Sequence, residues 1–293
     1  MPKSAMNWCK CLKGRPLKEL TAIRCPATAK FFFEPRDEED LAFILRRLKP
    51  GKIQCLILGA GSNILAAGKI KRAVIKLGAP AFKKIVFHKG GVYAGAGARL
   101  NRIVAQAAGR GLSGAEFLCG IPGTLGGALA MNAGAWGESI GDLVENVRVM
   151  DYNSKIKDLP GRKIKFAYRE SGLGRYIILA ARLKLRRGKR AAIRSGISAY
   201  LRRRAGAQDN TFPNCGCVFK NPAAQMPAGR LIDLCGLKGK RSGGAMISPK
   251  HANFILNYNH ASAADVLRLM AFMKTAVKKR FGVALEPEVK IWR

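Results

Sequence analysis

The spacing of apolar and polar residues predicts short strands separated by amphipathic helices. The predicted strands are brief apolar runs bounded by turn residues, and they lie at 30–33, 53–58, 73–77, 85–87, 92–95, 147–150 and 177–185. A helical pattern over 37–48 separates the first two. A second helix is predicted from residue 100, because apolar residues fall on one face of it as far as Ala108. Gly111 stands where its C-terminal turn belongs.

The last helix has the clearest boundaries. Ser262 followed by Asp265 forms a capping-box pattern, and Gly282 closes the helix. The region of the chain that ends with this helix begins with a basic stretch at 189–204. Helices and strands are mixed throughout without an internal repeat, so the predicted fold class is α+β.

Two glycine-rich segments interrupt this pattern. The segment 59–63 (Gly-Ala-Gly-Ser-Asn) follows a predicted strand, and the segment 120–137 holds six glycines in 18 residues. Glycines inside apolar sequence allow the backbone to approach another backbone or a ligand closely. The first segment lacks the third glycine of a Rossmann fingerprint, because Ile64 occupies that position. Two such segments favour an extended dinucleotide, although a plain tight turn also explains the first.

Composition adds a globular core and an unusual charge. The chain has 293 residues, 48% of them hydrophobic, and its 53 Lys and Arg against 18 Asp and Glu give a net charge of +35. Nucleic-acid binding is the first hypothesis for such a charge. The basic residues are spread along the whole sequence without a nucleic-acid-binding motif, so no specific nucleic acid is expected as a partner.

Location and metal content are predicted from what the sequence lacks. No apolar stretch reaches the length of a membrane span and no secretory signal is visible, so we expect a cytoplasmic protein without a membrane partner. The eight cysteines are then expected to be reduced. Two C-x-C pairs, at 9–11 and 215–217, do not have the usual zinc spacing, and with three histidines in the chain no metal is expected.

Six segments together resemble a known family. They occur at 59–65 (Gly-Ala-Gly-Ser-Asn-Ile-Leu), 116–128, 131–137 (Met-Asn-Ala-Gly-Ala-Trp-Gly), 166–171 (Phe-Ala-Tyr-Arg-Glu-Ser), 216–222 and 285–290. Their sequences and their order resemble the UDP-N-acetylenolpyruvoylglucosamine reductases, also called UDP-N-acetylmuramate dehydrogenases, over roughly residues 17–290. The short stretch between Arg169 and the strand near 177 is typical of the compact subtype, which lacks an inserted loop carrying a tyrosine.

This resemblance implies a fold, a domain plan and a reaction. It implies an N-terminal segment at 1–16 and an FAD-binding domain of the vanillyl-alcohol-oxidase type at 17–187, with lobes at about 17–80 and 81–187. A substrate-binding domain would follow at 188–293. The implied reaction is the reduction of UDP-N-acetylglucosamine enolpyruvate to UDP-N-acetylmuramate for peptidoglycan synthesis, with non-covalent FAD and with NADPH.

The resemblance also implies the residues of the reaction. Arg169 and Glu288 would stabilise charge that develops on the substrate carboxylate, and Cys217, where many members have serine, would donate the proton. The cofactor-binding residues it implies are Gly59, Ala60, Gly61, Ser62, Asn63, Pro122, Gly123, Gly126, Gly127 and Ala128. The implied substrate-binding residues are Tyr168, Asn221, Lys238 and His251. Each role has a structural alternative. Arg169 and Glu288 could form surface ion pairs, Cys217 could be a packed cysteine, and His251 could be a structural histidine.

The chain also departs from the family pattern. The usual Gly-Gly-Pro-Ala near the first strand is Arg24-Cys25-Pro-Ala here, and an acidic turn after Leu65 is replaced by Ala-Ala-Gly-Lys. Two other functions therefore stay open at this stage. The chain could be another FAD oxidoreductase of the same fold, or a basic nucleic-acid-binding protein.

Overall fold

A computed structural model describes residues 10–223 and 225–293, and the chain folds into two compact units. Unit 1 contains Phe31–Gly59 and Arg72–Leu201, and unit 2 contains Gly14–Lys30, Ala60–Lys71 and Arg202–Arg293. The units are therefore interleaved along the chain, whereas the expected functional domains follow one another. The functional domain boundaries stay a prediction, because compactness alone does not assign a function to either unit.

The helices and strands are numbered in chain order. The helices are α1 (Glu38–Leu48), α2 (Leu100–Gly109), α3 (Leu125–Ala130), α4 (Arg190–Ala207), α5 (Ala228–Leu234) and α6 (Ala263–Phe281). The strands are β1 (Leu12–Pro16), β2 (Ala27–Phe33), β3 (Cys55–Leu58), β4 (Ile64–Ala66), β5 (Gly68–Lys76), β6 (Ile85–His88), β7 (Gly91–Gly95), β8 (Leu112–Ser113), β9 (Gly134–Ala135), β10 (Glu138–Ser139), β11 (Val144–Asp151), β12 (Ile156–Pro160), β13 (Phe166–Ala167), β14 (Glu170–Ser171), β15 (Tyr176–Lys184), β16 (Arg186–Arg187), β17 (Asn214–Cys217), β18 (Arg241–Ser242), β19 (Ala245–Ile247), β20 (Phe254–Asn257) and β21 (Lys290–Trp292).

Unit 1 is built on a five-stranded antiparallel sheet with the strand order β12-β11-β15-β7-β6. The central strand β15 is almost wholly apolar and buried, which fits a strand covered on both faces. Next to this sheet, β3 and β5 pair in parallel over Cys55–Leu58. Helices α1, α2 and α3 contribute their apolar faces to one continuous core with these strands.

Unit 2 is built on a four-stranded antiparallel sheet with the order β17-β20-β19-β18. Helix α6 covers this sheet with Val266, Leu269, Met270, Met273 and Val277, which are all buried. A separate parallel pair joins β21 to β4, so the end of the chain lies beside the strand that follows the first glycine segment.

The local signals predicted the periodic elements well. Helix α6 begins after Ser262, whose hydroxyl accepts a hydrogen bond from the Asp265 N–H, and it ends at Gly282 with φ of 70°. Helix α4 was not predicted from the basic stretch, because within this fully described helix Ile193 is the one buried residue and no apolar stripe marks a face. Among the helices of residues 10–223 and 225–293, none combines the length and the apolar composition that a membrane span requires.

Candidate functional site

Gly59, the first residue of the shorter glycine-rich segment, contacts the longer one within unit 1. Gly59 follows β3, and a Cβ placed on it would lie 2.7 Å from Oγ1 of Thr124 and 4.0 Å from Cα of Gly127. Thr124 is the N-cap of α3, where its hydroxyl accepts a hydrogen bond from the Gly127 N–H at 3.5 Å. Only glycine at position 59 lets the end of β3 approach α3 this closely. Gly59 is therefore in close contact with a segment far from it in the sequence.

Of the other residues predicted to bind the cofactor, some lie where the backbone makes close contacts and one packs in the core. Gly126 lies close to the residue that follows β7, because its Cβ would be 2.9 Å from Cβ of Ala96. Gly127 and Pro122 are exposed, and the Gly123 carbonyl accepts a hydrogen bond from the Leu100 N–H at 3.2 Å. Ala128 is buried in the core of unit 1, so its side chain holds α3 in place. Ala60 and Ser62 are half-buried.

In unit 2 the rest of the first glycine segment is fixed by its own contacts. Gly61 has φ of 69°, and a Cβ there would overlap the Leu20 carbonyl. Asn63 donates from Nδ2 to the carbonyl of Glu288 at 3.2 Å, and its own carbonyl accepts from the Lys290 N–H at 3.0 Å. The segment predicted to bind the cofactor is thus tied directly to the segment that carries Glu288.

Arg169 lies in a tight turn in unit 1. It and Tyr168 join β13 to β14, and Arg169 has φ of 56°, a left-handed conformation that is uncommon outside glycine. Its Nη1 donates to the carbonyl of Gly134 at 3.0 Å, and its guanidinium lies 5.4 Å from the ring centroid of Tyr168. Tyr168 is 53% exposed. The second glycine-rich segment therefore holds the arginine that the sequence predicted to be catalytic.

The structure brings Cys217 and Glu288 together in unit 2. Cys217 ends β17, and the residues after it pair with the C-terminal segment, since the Glu288 N–H donates to the Val218 carbonyl at 2.9 Å. The Lys220 N–H donates to the Glu286 carbonyl at 2.9 Å as well. Both Cys217 and Glu288 are half-buried. Residues from distant parts of the sequence thus occupy neighbouring backbone segments.

The cysteines of unit 2 differ in burial, and Cys25 and Cys215 are the buried ones. Burial raises the pKa of the Cys215 thiol to about 12, with further contributions from Cys25, Cys217 and Glu288. Burial also raises the pKa of Cys25 to about 12. Burial therefore disfavours the thiolate, which is the reactive form of cysteine, at both residues. Cys217 differs from them because its side chain is only half-buried.

The predicted substrate-binding residues of unit 2 surround α5. Asn221 accepts a hydrogen bond at Oδ1 from the Ala228 N–H at 3.0 Å, and Lys238 forms an ion pair with Asp233 at 2.7 Å. The ring of His251 lies against the first turn of this helix, because a Cβ on Gly229 would be 3.3 Å from its Cε1. Burial lowers the pKa of His251, and the nearby charge of Lys238 acts in the same direction. Both effects favour the neutral form of the His251 ring.

Two asparagines have positions that the sequence analysis missed. Asn132 is buried and bonds two separate backbone segments of unit 1, the Gly141 N–H and the Ala167 carbonyl. Asn253 is buried in unit 2 and clamps Phe219, just beyond Cys217, with one hydrogen bond to its N–H and one from Nδ2 to its carbonyl. In each case the signal was an asparagine inside an otherwise apolar segment.

These residues fit a dinucleotide cofactor better than a metal. Glycine at 59 and 126 of unit 1, and at 61 of unit 2, leaves the backbone of each segment free of side chains, which suits a ligand that binds through backbone groups. Among residues 10–223 and 225–293, no three His, Cys, Asp or Glu side chains come together as a metal site requires. Cys9, of the first C-x-C pair, lies outside the described residues.

The comparisons define the class of protein, which is an FAD-binding flavoprotein with an additional C-terminal domain. Residues 29–160 match the family model "FAD binding domain", and residues 208–292 match "UDP-N-acetylenolpyruvoylglucosamine reductase, C-terminal domain". A reductase of that name from Symbiobacterium thermophilum is 39% identical over 282 residues, covering 96% of this chain and 91% of the relative. The one from Clostridioides difficile is 40% identical over 279 residues, covering 94% and 91%.

A solved structure gives the same result. The crystal structure of the reductase from Thermus caldophilus superimposes with a TM-score of 0.84 at 33% identity, covering 98% of this chain and all of that one. The chain belongs to the UDP-N-acetylenolpyruvoylglucosamine reductase family. The predicted family, the α+β fold class with its FAD-binding and C-terminal domains, and the prediction of an FAD-dependent reductase are confirmed.

Proposed function

We propose that the chain reduces UDP-N-acetylglucosamine enolpyruvate to UDP-N-acetylmuramate with NADPH, a step in the synthesis of peptidoglycan precursors. The observation that carries the proposal is the backbone pairing of segments 218–220 and 286–288, which joins the residues after Cys217 to the segment that contains Glu288, where Asn63 also donates to the Glu288 carbonyl. NADPH and the UDP-sugar substrate also favour a cytoplasmic location, where both are made.

Gly59 to Asn63, together with Pro122, Gly123, Gly126 and Gly127, would hold FAD. Most of them are glycines or other small residues, so backbone N–H groups could approach the phosphates. Bound FAD would supply the two-electron chemistry, taking electrons from NADPH and passing them to the enolpyruvyl double bond. Ala128 supports this surface from the core.

Arg169 would meet the substrate carboxylate. Reduction at the terminal carbon leaves negative charge on the adjacent carbon, and this charge spreads into the carboxylate. The planar guanidinium can donate two parallel hydrogen bonds to a carboxylate. Its bond to Gly134 orients the side chain before substrate binds, so less reorganisation remains for the reaction itself.

Cys217 would donate its Sγ proton to the adjacent carbon and so complete the reduction. A thiol has an ordinary pKa near 8.5, far below that of the serine hydroxyl found in many relatives, which makes it the stronger acid. Glu288 would be protonated or hydrogen-bonded beside the substrate, because an ionised carboxylate would oppose charge developing nearby. Tyr168, Asn221, Lys238 and His251 would bind the rest of the substrate.

The test is steady-state oxidation of NADPH by the purified yellow protein with and without UDP-N-acetylglucosamine enolpyruvate. We expect oxidation to depend on this substrate and to yield UDP-N-acetylmuramate. Cys217→Ala should lose turnover and still accept electrons from NADPH, whereas Cys217→Ser should keep part of the turnover because serine retains a donor. Full turnover by Cys217→Ala would overturn the assigned proton donor.

A further inference from the structure

The turn that carries Arg169 is held by three side-chain hydrogen bonds to a single segment of unit 1. Ser171 donates from Oγ to the Ala130 carbonyl at 3.1 Å. Asn132 donates from Nδ2 to the Ala167 carbonyl at 3.0 Å, and Arg169 itself donates to the Gly134 carbonyl at 3.0 Å. The hairpin of β13 and β14 is therefore fastened at alternate residues along 130–134.

Asn132 has the central position of the three. Its bond reaches Ala167, the residue that pairs with Glu170 to close the turn, whereas Ser171 lies one residue pair further from the turn. At the same time its Oδ1 accepts from the Gly141 N–H at 3.0 Å, so the side chain is bonded at both ends. Asn132 is 8% exposed, and a buried amide bonded at both ends has one stable orientation.

The backbone at this position also favours asparagine. Asn132 has φ of 42°, in the left-handed region that glycine and asparagine tolerate best. A Cβ on Gly141 would lie 2.9 Å from the Asn132 Oδ1, so glycine at 141 is needed for the close approach. Other side chains would either strain this backbone or leave the Ala167 carbonyl without this donor.

We propose that Asn132 is a positioning residue for Arg169, and this inference rests on the proposed function. Its Nδ2 holds Ala167, which precedes the turn, and its backbone lies two residues before Gly134, whose carbonyl accepts from Arg169. Asn132 touches neither substrate nor cofactor in this role. It sets where Arg169 stands before the substrate carboxylate arrives.

The experiment separates the two half-reactions. The first variant, Asn132→Gly, tolerates the left-handed backbone and removes the side-chain amide. If it does not fold, the second variant is Asn132→Asp, which keeps Oδ1 and replaces the Nδ2 donor. Each holoenzyme is reduced anaerobically with NADPH and then mixed with UDP-N-acetylglucosamine enolpyruvate while flavin reoxidation is followed. We expect an unchanged rate of reduction by NADPH and a substrate-dependent reoxidation slowed on the order of tenfold to a hundredfold.

Two comparisons make the result specific. Ser171→Ala removes a bond of the same kind from the same hairpin, and we expect it to change stability with little effect on reoxidation. In an Arg169→Lys background, where the planar guanidinium is already lost, Asn132→Gly should change the reoxidation rate by no more than about twofold.

The outcomes distinguish the inference from the proposed function. If Arg169→Lys alone leaves reoxidation unchanged, the proposed role of Arg169 fails. Two outcomes leave Arg169 its role and overturn the positioning role of Asn132. In the first, Arg169→Lys slows reoxidation and Asn132→Gly does not. In the second, Asn132→Gly slows reoxidation equally with Arg169 and with Lys at position 169.

Discussion

Replacing Gly59 with alanine should separate the two glycine segments. The new methyl would lie 2.7 Å from Oγ1 of Thr124, against the 3.4 Å at which ordinary contact begins, so the end of β3 and α3 must part by about 0.7 Å. Leu125 and Ala128 of α3 lie in the packed core of unit 1, and Ile57 of β3 packs against it, so overpacking of this kind costs about 1–3 kcal/mol. We expect a lower free energy of unfolding and weaker retention of FAD.

A double-mutant cycle with Thr124→Ala checks the cause. Alone, Thr124→Ala removes the N-cap of α3 and should cost about 0.5–2 kcal/mol. Once Oγ1 is gone, the nearest atoms to the new methyl at position 59 are Cβ of residue 124 at 3.9 Å and Cα of Gly127 at 4.0 Å, which are comfortable contacts. The double variant should therefore be more stable than the sum of the single effects by about 1–3 kcal/mol, most of the cost of the clash.

The assay is urea unfolding of each variant, with the FAD content measured from the visible spectrum. Gly174→Ala is the matched control, because a Cβ at Gly174 meets no atom within 4 Å and its φ is not positive. It should leave stability unchanged or raise it slightly through the unfolded state. Additive effects of Gly59→Ala and Thr124→Ala, or a Gly59→Ala variant as stable as the control, would refute the close approach of the two segments.

Three further predictions concern stability, pH and salt. Arg24 has φ of 56°, in the left-handed region that favours glycine, so Arg24→Gly should raise the free energy of unfolding by about 0.5 kcal/mol, which is the relieved strain less the entropy that glycine adds to the unfolded chain. Arg24→Ala keeps a Cβ, so its free energy of unfolding by denaturant should show no such rise. Burial, and the charge of Lys238, lower the pKa of His251 below its ordinary 6.5. As the pH falls, the unfolded state therefore binds this proton at a higher pH than the folded state, and the free energy of unfolding should fall below pH 6.5. The variant His251→Gln should show a smaller fall. Identical pH profiles of the two proteins would contradict this prediction. The net charge of +35 should draw in polyanionic substrates, so kcat/KM should decrease with added salt while kcat stays constant, and a flat kcat/KM would exclude such steering.

Local sequence determined much of the fold that was predicted. The boundaries of α6 follow from Ser262, Asp265 and Gly282, whose hydrogen bonds and φ lie within one turn of the helix ends. The 18-residue helix α4 escaped prediction because its small and basic residues give it no apolar face to recognise. Helix α3 was also not predicted, because two glycines in six residues give it a low helix propensity. The Thr124 cap and packing in the core outweigh this propensity.

The candidate site was predicted in its residues but not in its contacts. Motif order named Arg169, Cys217 and Glu288, yet nothing local in the sequence places Val218 beside Glu288 or Ala167 beside Asn132. Those pairings join segments far apart in the chain, and they depend on the sheets and turns around them. The same holds for Gly59, whose need for glycine comes from Thr124 on another element.

A single anaerobic turnover tests the central claim most directly. The purified protein is reduced with one equivalent of NADPH, UDP-N-acetylglucosamine enolpyruvate is added without oxygen, and the flavin spectrum and the sugar product are both recorded. The account predicts that the visible flavin absorbance returns and that UDP-N-acetylmuramate forms in the same amount as the enzyme-bound FAD. A colourless protein, or reduced flavin that persists until oxygen is admitted, would contradict it.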